Sequence, residues 1–430
     1  MSLAKRVKGR VSAPGRAVLS ISAGTAAGQI ALVAASPLLT RLYSPEDFGT
    51  LAVIIALATT LVPVASLRLE LAVPLPREED EAQSLAGAAL LSTLVTTLVV
   101  AGVAALVTGP VADLMGNPQL ADLLWTVPLV AGVTASYLVL NQLAIRHQRY
   151  GAVGRRNLIS SLTTVAVQLT AGLSPLRGSG LILGLGAGQL AGALSLLSRS
   201  GLCAAGRRGA LTRARMSRAV ASYRRFPLLL APAGLLNALG LQLPVILMSA
   251  FYGAEVAGWF GLTQRILALP VTLIGVAVAQ VYLGELSQHV RDSRGSPLQL
   301  FDSTSKRLGL VGVVGAVLLV ALAPPTFGLI FGDTWSPSGD YAQALAFGLA
   351  AQLVASPLSQ TLIVLGRTGT QLTWDAARLL AVLSAIAITA MSGGGAVAAM
   401  WALGLAQLAS YSVGWALSRH AIGAHQPNGG

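Results

Sequence analysis

Three arginines stand within stretches of sequence that otherwise exclude charge. Arg265 lies well inside the apolar run 256–285. Arg68 falls in the run that ends at Leu75, with Glu70 two residues on, and Arg41 closes the first run. A charged side chain at membrane depth costs about 2.5–3.5 kcal/mol on insertion scales, so it turns toward a partner or a water-filled cavity. A guanidinium also meets phosphate with two parallel hydrogen bonds. The chemistry these residues could do is to hold an anionic phosphate inside a membrane. Snorkelling to the interface is the alternative for Arg41, and for Arg68 near a helix end; the depth of Arg265 argues against it there. A second pattern lies on the first run. Ser22, Thr25, Gln29, Ser36 and Thr40 fall within about 60° of one another at about 100° per residue. A stripe of neutral polar groups suits a sugar and equally suits helix packing; the sequence leaves both open.

The elements that must carry these residues follow from composition. Of 430 residues, 54% are hydrophobic and 10% charged, against roughly 25% charged in a soluble domain. Such a chain cannot cover a water-facing surface, so lipid is its solvent. Its 47 glycines fit helices that pack closely in a membrane. Apolar runs occupy 17–41, 49–73, 84–107, 123–145, 158–176, 180–198, 226–250, 256–285, 308–331, 341–365, 378–391 and 395–417. Roughly 20 residues cross about 30 Å of hydrocarbon, and 378–391 is the shortest of the set. The first run follows Lys5, Arg6, Lys8, Arg10 and Arg16. It exceeds the roughly 7–15 residue core of a secretory signal, so an uncleaved helix is expected. The expected fold class is all-α, a polytopic membrane protein of about twelve transmembrane helices in two six-helix bundles. The bundles are residues 1–198 and 226–417, with a basic cytoplasmic linker over 199–225 and a cytoplasmic tail over 418–430.

Charge orients the array. With the N-terminus inside, each of the 29 Lys and Arg residues falls on the inner side except Arg41, Arg177 and Arg265. Arg155, Arg156, Arg367 and Arg378 are counted here as inner loop charges. The outer loops carry Glu46, Asp47, Asp113, Asp122, Glu255, Asp333 and Asp340. This is the positive-inside bias, and it places both termini in the cytoplasm. The halves also repeat weakly. Tyr43, Glu46 and Gly49 match Tyr252, Glu255 and Gly258; Gly116-Asn117 matches Gly332-Asp333; Arg146 matches Arg367. A duplicated unit of six helices keeps one orientation in both copies, related by an axis along the membrane normal, as in many transporters.

Other motifs read as structure. The single cysteine, Cys203, rules out a disulfide within the chain. His147, His289, His420 and His425 are too scattered for a zinc site. Gly180, Gly184, Gly188 and Gly192 recur at every fourth residue. The GLGAG within them lacks the strand–turn–helix setting of a dinucleotide site and reads as a close-packing face. Pro63, Pro128, Pro232, Pro244, Pro270 and Pro357 mark expected kinks. The eight arginines between 199 and 225 read as an anchor on anionic lipid, with recruitment of a pyrophosphate headgroup or a cytoplasmic partner as the other reading. No paired outer carboxylates, nucleophile–base set or metal-ligand spacing can be assembled. The chain is expected not to be an enzyme, and no cofactor is implied.

RLYSPEDFG at 41–49 and LRLELAVPLP at 67–76, followed by acidic residues through Glu81, resemble segments of a known family. They are similar to the ends of the first and second helices in the Wzx-type polysaccharide flippases. These O-antigen and exopolysaccharide carriers belong to the multidrug/oligosaccharidyl-lipid/polysaccharide exporter superfamily. FGDTWSPSGDY at 331–341 and the Arg265–Pro270 stretch are similar to the family's segments at its tenth and eighth helices, and the resemblance covers almost the whole chain. It implies transport without covalent chemistry. Undecaprenyl-pyrophosphate-linked oligosaccharide would be carried across the bacterial inner membrane by two six-helix halves that line a V-shaped cavity and alternate its exposure. Arg41, Arg68, Glu70 and Arg265 fall on patterned positions; with Gln29 of the polar stripe they form the candidate cavity set. The implied partners are the lipid-linked oligosaccharide, membrane lipids and a polysaccharide polymerase, with no nucleic acid. Superfamily members often use ion gradients, which implies Glu70 as a coupling residue. Three alternatives stay open: a lipid II-type flippase, a membrane assembly component that transports nothing, and a drug/cation antiporter of the same superfamily. The antiporter would need embedded acids, for which Glu70 and Glu285 are the candidates.

Overall fold

The computed structural model describes residues 13–175, 177–198, 200–292 and 296–424. Lys5, Arg6, Lys8, Arg10, Arg199, Arg294 and His425 lie outside the described residues, as do the side chains of Arg16, Ser22, Arg177, Cys203, Arg207 and Arg291. Among the described residues there is no strand, and the long helices follow the apolar runs in order. They are α1 (Ala13–Leu42), α2 (Pro45–Ala65), α3 (Glu79–Leu114), α4 (Thr126–Arg146), α5 (Tyr150–Gly172), α6 (Arg177–Leu197), α7 (Ala231–Tyr252), α8 (Ala254–Asp292), α9 (Pro297–Phe331), α10 (Ser336–Leu358), α11 (Thr368–Met391) and α12 (Ala396–Gly423). Eleven of these, all but α5, are long and apolar enough to cross a membrane. The 23 residues of α5 have the length, but Arg155, Arg156 and Asn157 lower its apolarity.

The helix ends have local causes. The RLYSPEDFG motif is a tight corner between α1 and α2. Ser44 caps α2: its backbone N–H donates to Asp47 Oδ2 at 2.9 Å, and Asp47 N–H donates to Ser44 Oγ at 3.2 Å. Pro45 takes the first helical position, where its missing N–H costs nothing. Tyr43 at the corner donates its hydroxyl to the carbonyl of Gln168 on α5 at 2.6 Å.

Several boundaries differ from those expected, among them three that relocate Arg68, Arg378 and Arg156. The helix α2 stops at Ala65 and not near 73, because Leu67 and Arg68 turn left-handed, both at φ 54°. Arg68 therefore sits in the turn beyond α2 and not within an apolar helix. The helix α11 begins at Thr368, ten residues before its apolar run. Its first turns carry Gln371, Asp375 and Arg378, which dilute the hydropathy. Arg378 is thus a mid-helix residue and not an inner loop charge. The same correction applies to Arg156, since α5 starts at Tyr150.

Contacts divide the chain into two units, residues 1–243 and 244–430, with the boundary inside α7. In the first unit α5 packs on α1 and α6, while α4 packs on α2, α3 and α6. The glycines of α6 make its contact with α5 close. A Cβ at Gly184 would lie 2.9 Å from the Thr164 carbonyl, and one at Gly188 would lie 2.5 Å from the Ser160 carbonyl. In the second unit α10 packs on α8, α9 and α12, and α11 lies on α12. The basic mid-chain segment is ordered as two short helices, Leu202–Arg207 and Arg213–Ser222. It is tied to the start of α3 by Ser84 Oγ, which donates to the Ala210 carbonyl at 2.7 Å, and by Asp80, which pairs with Arg208 and Arg215 at 3.7 and 3.4 Å.

Contacts repeat between the halves. Tyr252 donates to the Gly394 carbonyl at 3.0 Å, as Tyr43 does to Gln168. Asn117 Nδ2 donates to Thr50 Oγ1 at 2.9 Å, and at the corresponding place Trp259 Nε1 donates to the Thr334 carbonyl at 2.9 Å. Arg149 and Arg367 are both N-caps, with φ of −86° and −88°, and each follows a left-handed residue, Gln148 or Gly366. The backbone therefore pairs Arg367 with Arg149 and not with Arg146.

Candidate functional site

The first candidate group is the elbow after α2. Leu69, in the single 3-10 turn Leu69–Leu71, is 1% exposed and packs with Leu85, Val139 and Leu143 on α3 and α4. This fixes the two side chains on either side of it. Glu70 is 2% exposed, and neither of its carboxylate oxygens has a hydrogen-bond partner among the described residues. The neighbouring cation is Arg68, whose Nη1 stands 3.5 Å from Glu70 Oε1. That is beyond the roughly 2.7–2.9 Å of a charge-assisted hydrogen bond. The Arg68 side chain is about a quarter exposed. The structure therefore brings Arg68 and Glu70 together as a loose ion pair with donor capacity left on the guanidinium.

Arg265 belongs to the second unit. It lies eleven residues into the 39-residue α8, about 16 Å along the helix axis at about 1.5 Å per residue. Its side chain is half-buried. Two residues earlier Thr263 Oγ1 donates to the Ser338 carbonyl at 2.9 Å and pins α8 to α10. Arg41 and Gln29 are both exposed, one at the end of α1 and the other about 18 Å along the same helix. The rest of the α1 stripe divides. Ser36 and Thr40 bond back to the carbonyls of Leu32 and Pro37, which is a packing role. Thr25 accepts from Asn157 Nδ2 at 2.8 Å.

That bond leads to a buried cation hidden from sequence analysis. Arg156 is 5% exposed. Its Nη2 donates to Gln189 Oε1 at 2.6 Å, its Nη1 donates to Asn157 Oδ1 at 3.0 Å, and its guanidinium lies 3.1 Å from the centroid of Tyr137. Gly192 on α6 makes room for it, since a Cβ there would fall 2.6 Å from Nε. The second unit holds another such group on α11. Gln371 Nε2 donates to Asp375 Oδ2 at 3.1 Å, and Arg378 Nη2 stands 3.5 Å from Asp375 Oδ1. Arg378 also lies 5.6 Å from the rings of both Trp374 and Tyr411. The signal that could have found this group is the spacing Gln371–Asp375–Arg378, one face of a helix. Asp375 lies within a candidate membrane span, so Glu70 and Glu285 are not the only embedded acids.

Among the described residues no three His, Cys, Asp or Glu side chains gather as a metal-ligand group. What the arrangement offers is guanidinium groups on apolar helices and at their ends, suited to recognising anions.

The family model described as polysaccharide biosynthesis protein matches residues 38–340. The chain is similar to the succinoglycan biosynthesis transport protein ExoT of Rhizobium meliloti (strain 1021), with 25% identity over 371 residues, 85% of this chain and 72% of that one. Among solved structures, lipid II flippase MurJ in an inward closed conformation aligns with a TM-score of 0.72 at 14% identity, covering 93% of this chain and 87% of that chain. A mutant of the Vibrio cholerae MATE transporter VcmN aligns at 0.63 and 14% identity, covering 96% of this chain and 97% of that chain. At such identities the likeness to solved structures shows the fold alone. The family match runs from the last turns of α1 into α10 and takes in the Arg68 elbow and Arg265, and the chain belongs to the polysaccharide biosynthesis protein family.

Proposed function

We propose that the protein is a flippase that moves undecaprenyl-pyrophosphate-linked oligosaccharide units across the bacterial inner membrane for polysaccharide assembly. The observation that carries this reading is the Arg68 elbow, where a part-exposed guanidinium at the end of an apolar helix faces its acid at 3.5 Å and keeps donors for an anion. A pyrophosphate crossing a bilayer carries charge through a medium that penalises it severely, and an arginine reached along its path offsets that penalty. Arg68 and Arg265 are assigned to the phosphates. Arg41 and Gln29 are assigned to the wider substrate path, and Glu70 to ion coupling. The relatives support the reading: ExoT is named a transport protein of succinoglycan biosynthesis and MurJ a lipid II flippase. The proposed topology has both termini in the cytoplasm, with six-helix halves over 1–198 and 226–417, the linker 199–225 and a tail over 418–430. A polysaccharide polymerase is the proposed protein partner.

The test is mass spectrometry of lipid-linked intermediates in a strain lacking the gene. The expected result is accumulation of one undecaprenyl-pyrophosphate oligosaccharide with loss of the finished polysaccharide; unchanged polysaccharide would contradict the reading. A second reading, drug/cation antiport, draws on Asp375 in α11, an acid inside a candidate span. In that case the same strain would gain drug sensitivity and keep its polysaccharide.

A further inference from the structure

Leu67 and Arg68 are consecutive residues with side chains, both left-handed at φ 54°. L-residues visit that region rarely and almost always singly. Strained backbone persists only where its surroundings over-determine it, and it concentrates at functional sites. Here the surroundings are explicit. Ser66 before the elbow is fully buried, Leu69 after it is 1% exposed, and Glu70 is 2% exposed. The elbow thus sends the Arg68 side chain in one direction, and what it meets is α7. A Cβ on Gly234 would lie 2.7 Å from Arg68 Nη2 and 2.9 Å from Cζ. Real Cβ atoms essentially never come so close, so the guanidinium occupies the space that any side chain at position 234 would need.

We propose that Gly234, together with the Leu67–Arg68 elbow, is a positioning device for the Arg68 guanidinium, holding it against the bare backbone of α7 so that its remaining donors face the pyrophosphate of the substrate. This rests on the reading of Arg68 as a phosphate-binding residue. Three observations converge on it. The elbow removes the freedom of the Arg68 backbone. Gly234 supplies a flat seat for a planar group. Glu70, at 3.5 Å, attracts the cation without a close hydrogen bond, so an arriving phosphate competes with a weak internal partner. Helix propensity does not account for glycine at this position, because alanine is the better helix former. A methyl group at 234 would improve the helix and push the guanidinium away.

The experiment uses full-length protein in nanodiscs titrated with farnesyl pyrophosphate, with farnesol as the control for tail binding. Arg68→Ala is expected to weaken binding of the pyrophosphate roughly tenfold or more, the scale of hydrogen bonds to a charged group, and to leave farnesol unchanged. Gly234→Ala is expected to cost about as much alone and to add nothing in the Arg68→Ala background, since no guanidinium remains to be displaced. Leu67→Gly frees the elbow without touching α7 and is expected to weaken binding roughly threefold through lost backbone order. If Gly234→Ala costs the same in both backgrounds, it acts through helix packing and the positioning role is overturned. It is overturned equally if Gly234→Ala and Leu67→Gly both bind like wild type; in either case the flippase reading stands, provided Arg68→Ala is impaired. Wild-type binding by Arg68→Ala would remove the phosphate role of that residue and the seat with it.

Discussion

A guanidinium on an apolar helix is disfavoured unless something returns the free energy, and the arginines of this chain differ in what does so. Arg156 is held by two amide oxygens and a tyrosine ring and is 5% exposed; it ties α4, α5 and α6 together. Arg378 sits by Asp375 and two aromatic rings. Arg68 and Arg265 are the ones proposed to meet the phosphates. Arg265→Ala is expected to abolish polysaccharide export, and Arg265→Lys to retain part of it, because lysine keeps the charge and loses the bidentate geometry. Both proteins should accumulate at wild-type level in membranes, measured by immunoblot. Normal export by Arg265→Ala at equal abundance would contradict the role, and failure to accumulate would make Arg265 a packing residue. Arg68 and Arg265 stand out in the sequence because each interrupts an apolar run. Arg156 and Arg378 do not, since polar neighbours such as Asn157, Gln371 and Asp375 give their surroundings the look of a loop.

At the scale of elements, hydropathy marks the long helices in the sequence, most clearly the eleven that have the apolar length of a span. The ends were less legible. The corner at Ser44 is written in its capping box and proline, but α2 ends at a left-handed elbow that no glycine announces. The structure of α11 begins on polar turns whose shelter comes from α12, where Trp374 Nε1 donates to the Ser410 carbonyl at 2.7 Å. The proposed topology makes a prediction at this scale. Phosphatase reporters fused after Leu42, Met115 and Asp333 should read outside the cytoplasm, and those after Arg77, Arg208 and Gly366 inside. A consistent reversal for Asp333 and Gly366 alone would contradict the parallel duplication of the two halves.

For the whole molecule, the sequence suggests a repeat through a few matched turns, and the backbone at Arg149 and Arg367 is alike in a register that those turns did not give. Energy coupling is assigned to Glu70, a buried acid whose oxygens have no hydrogen-bond partner among the described residues. Glu70→Gln should reduce export, and an uncoupler should reduce it in wild-type cells; export that survives both would remove the coupling role. As proposed, the protein carries a pyrophosphate-linked glycolipid between leaflets. The decisive measurement traps cells depleted of the protein and labels the outer leaflet with a membrane-impermeant reagent against the oligosaccharide. The lipid-linked unit should be unlabelled on depletion, become labelled when wild-type protein is restored, and stay unlabelled with Arg265→Ala. Labelling that proceeds at the wild-type rate in depleted cells would contradict the proposed transport.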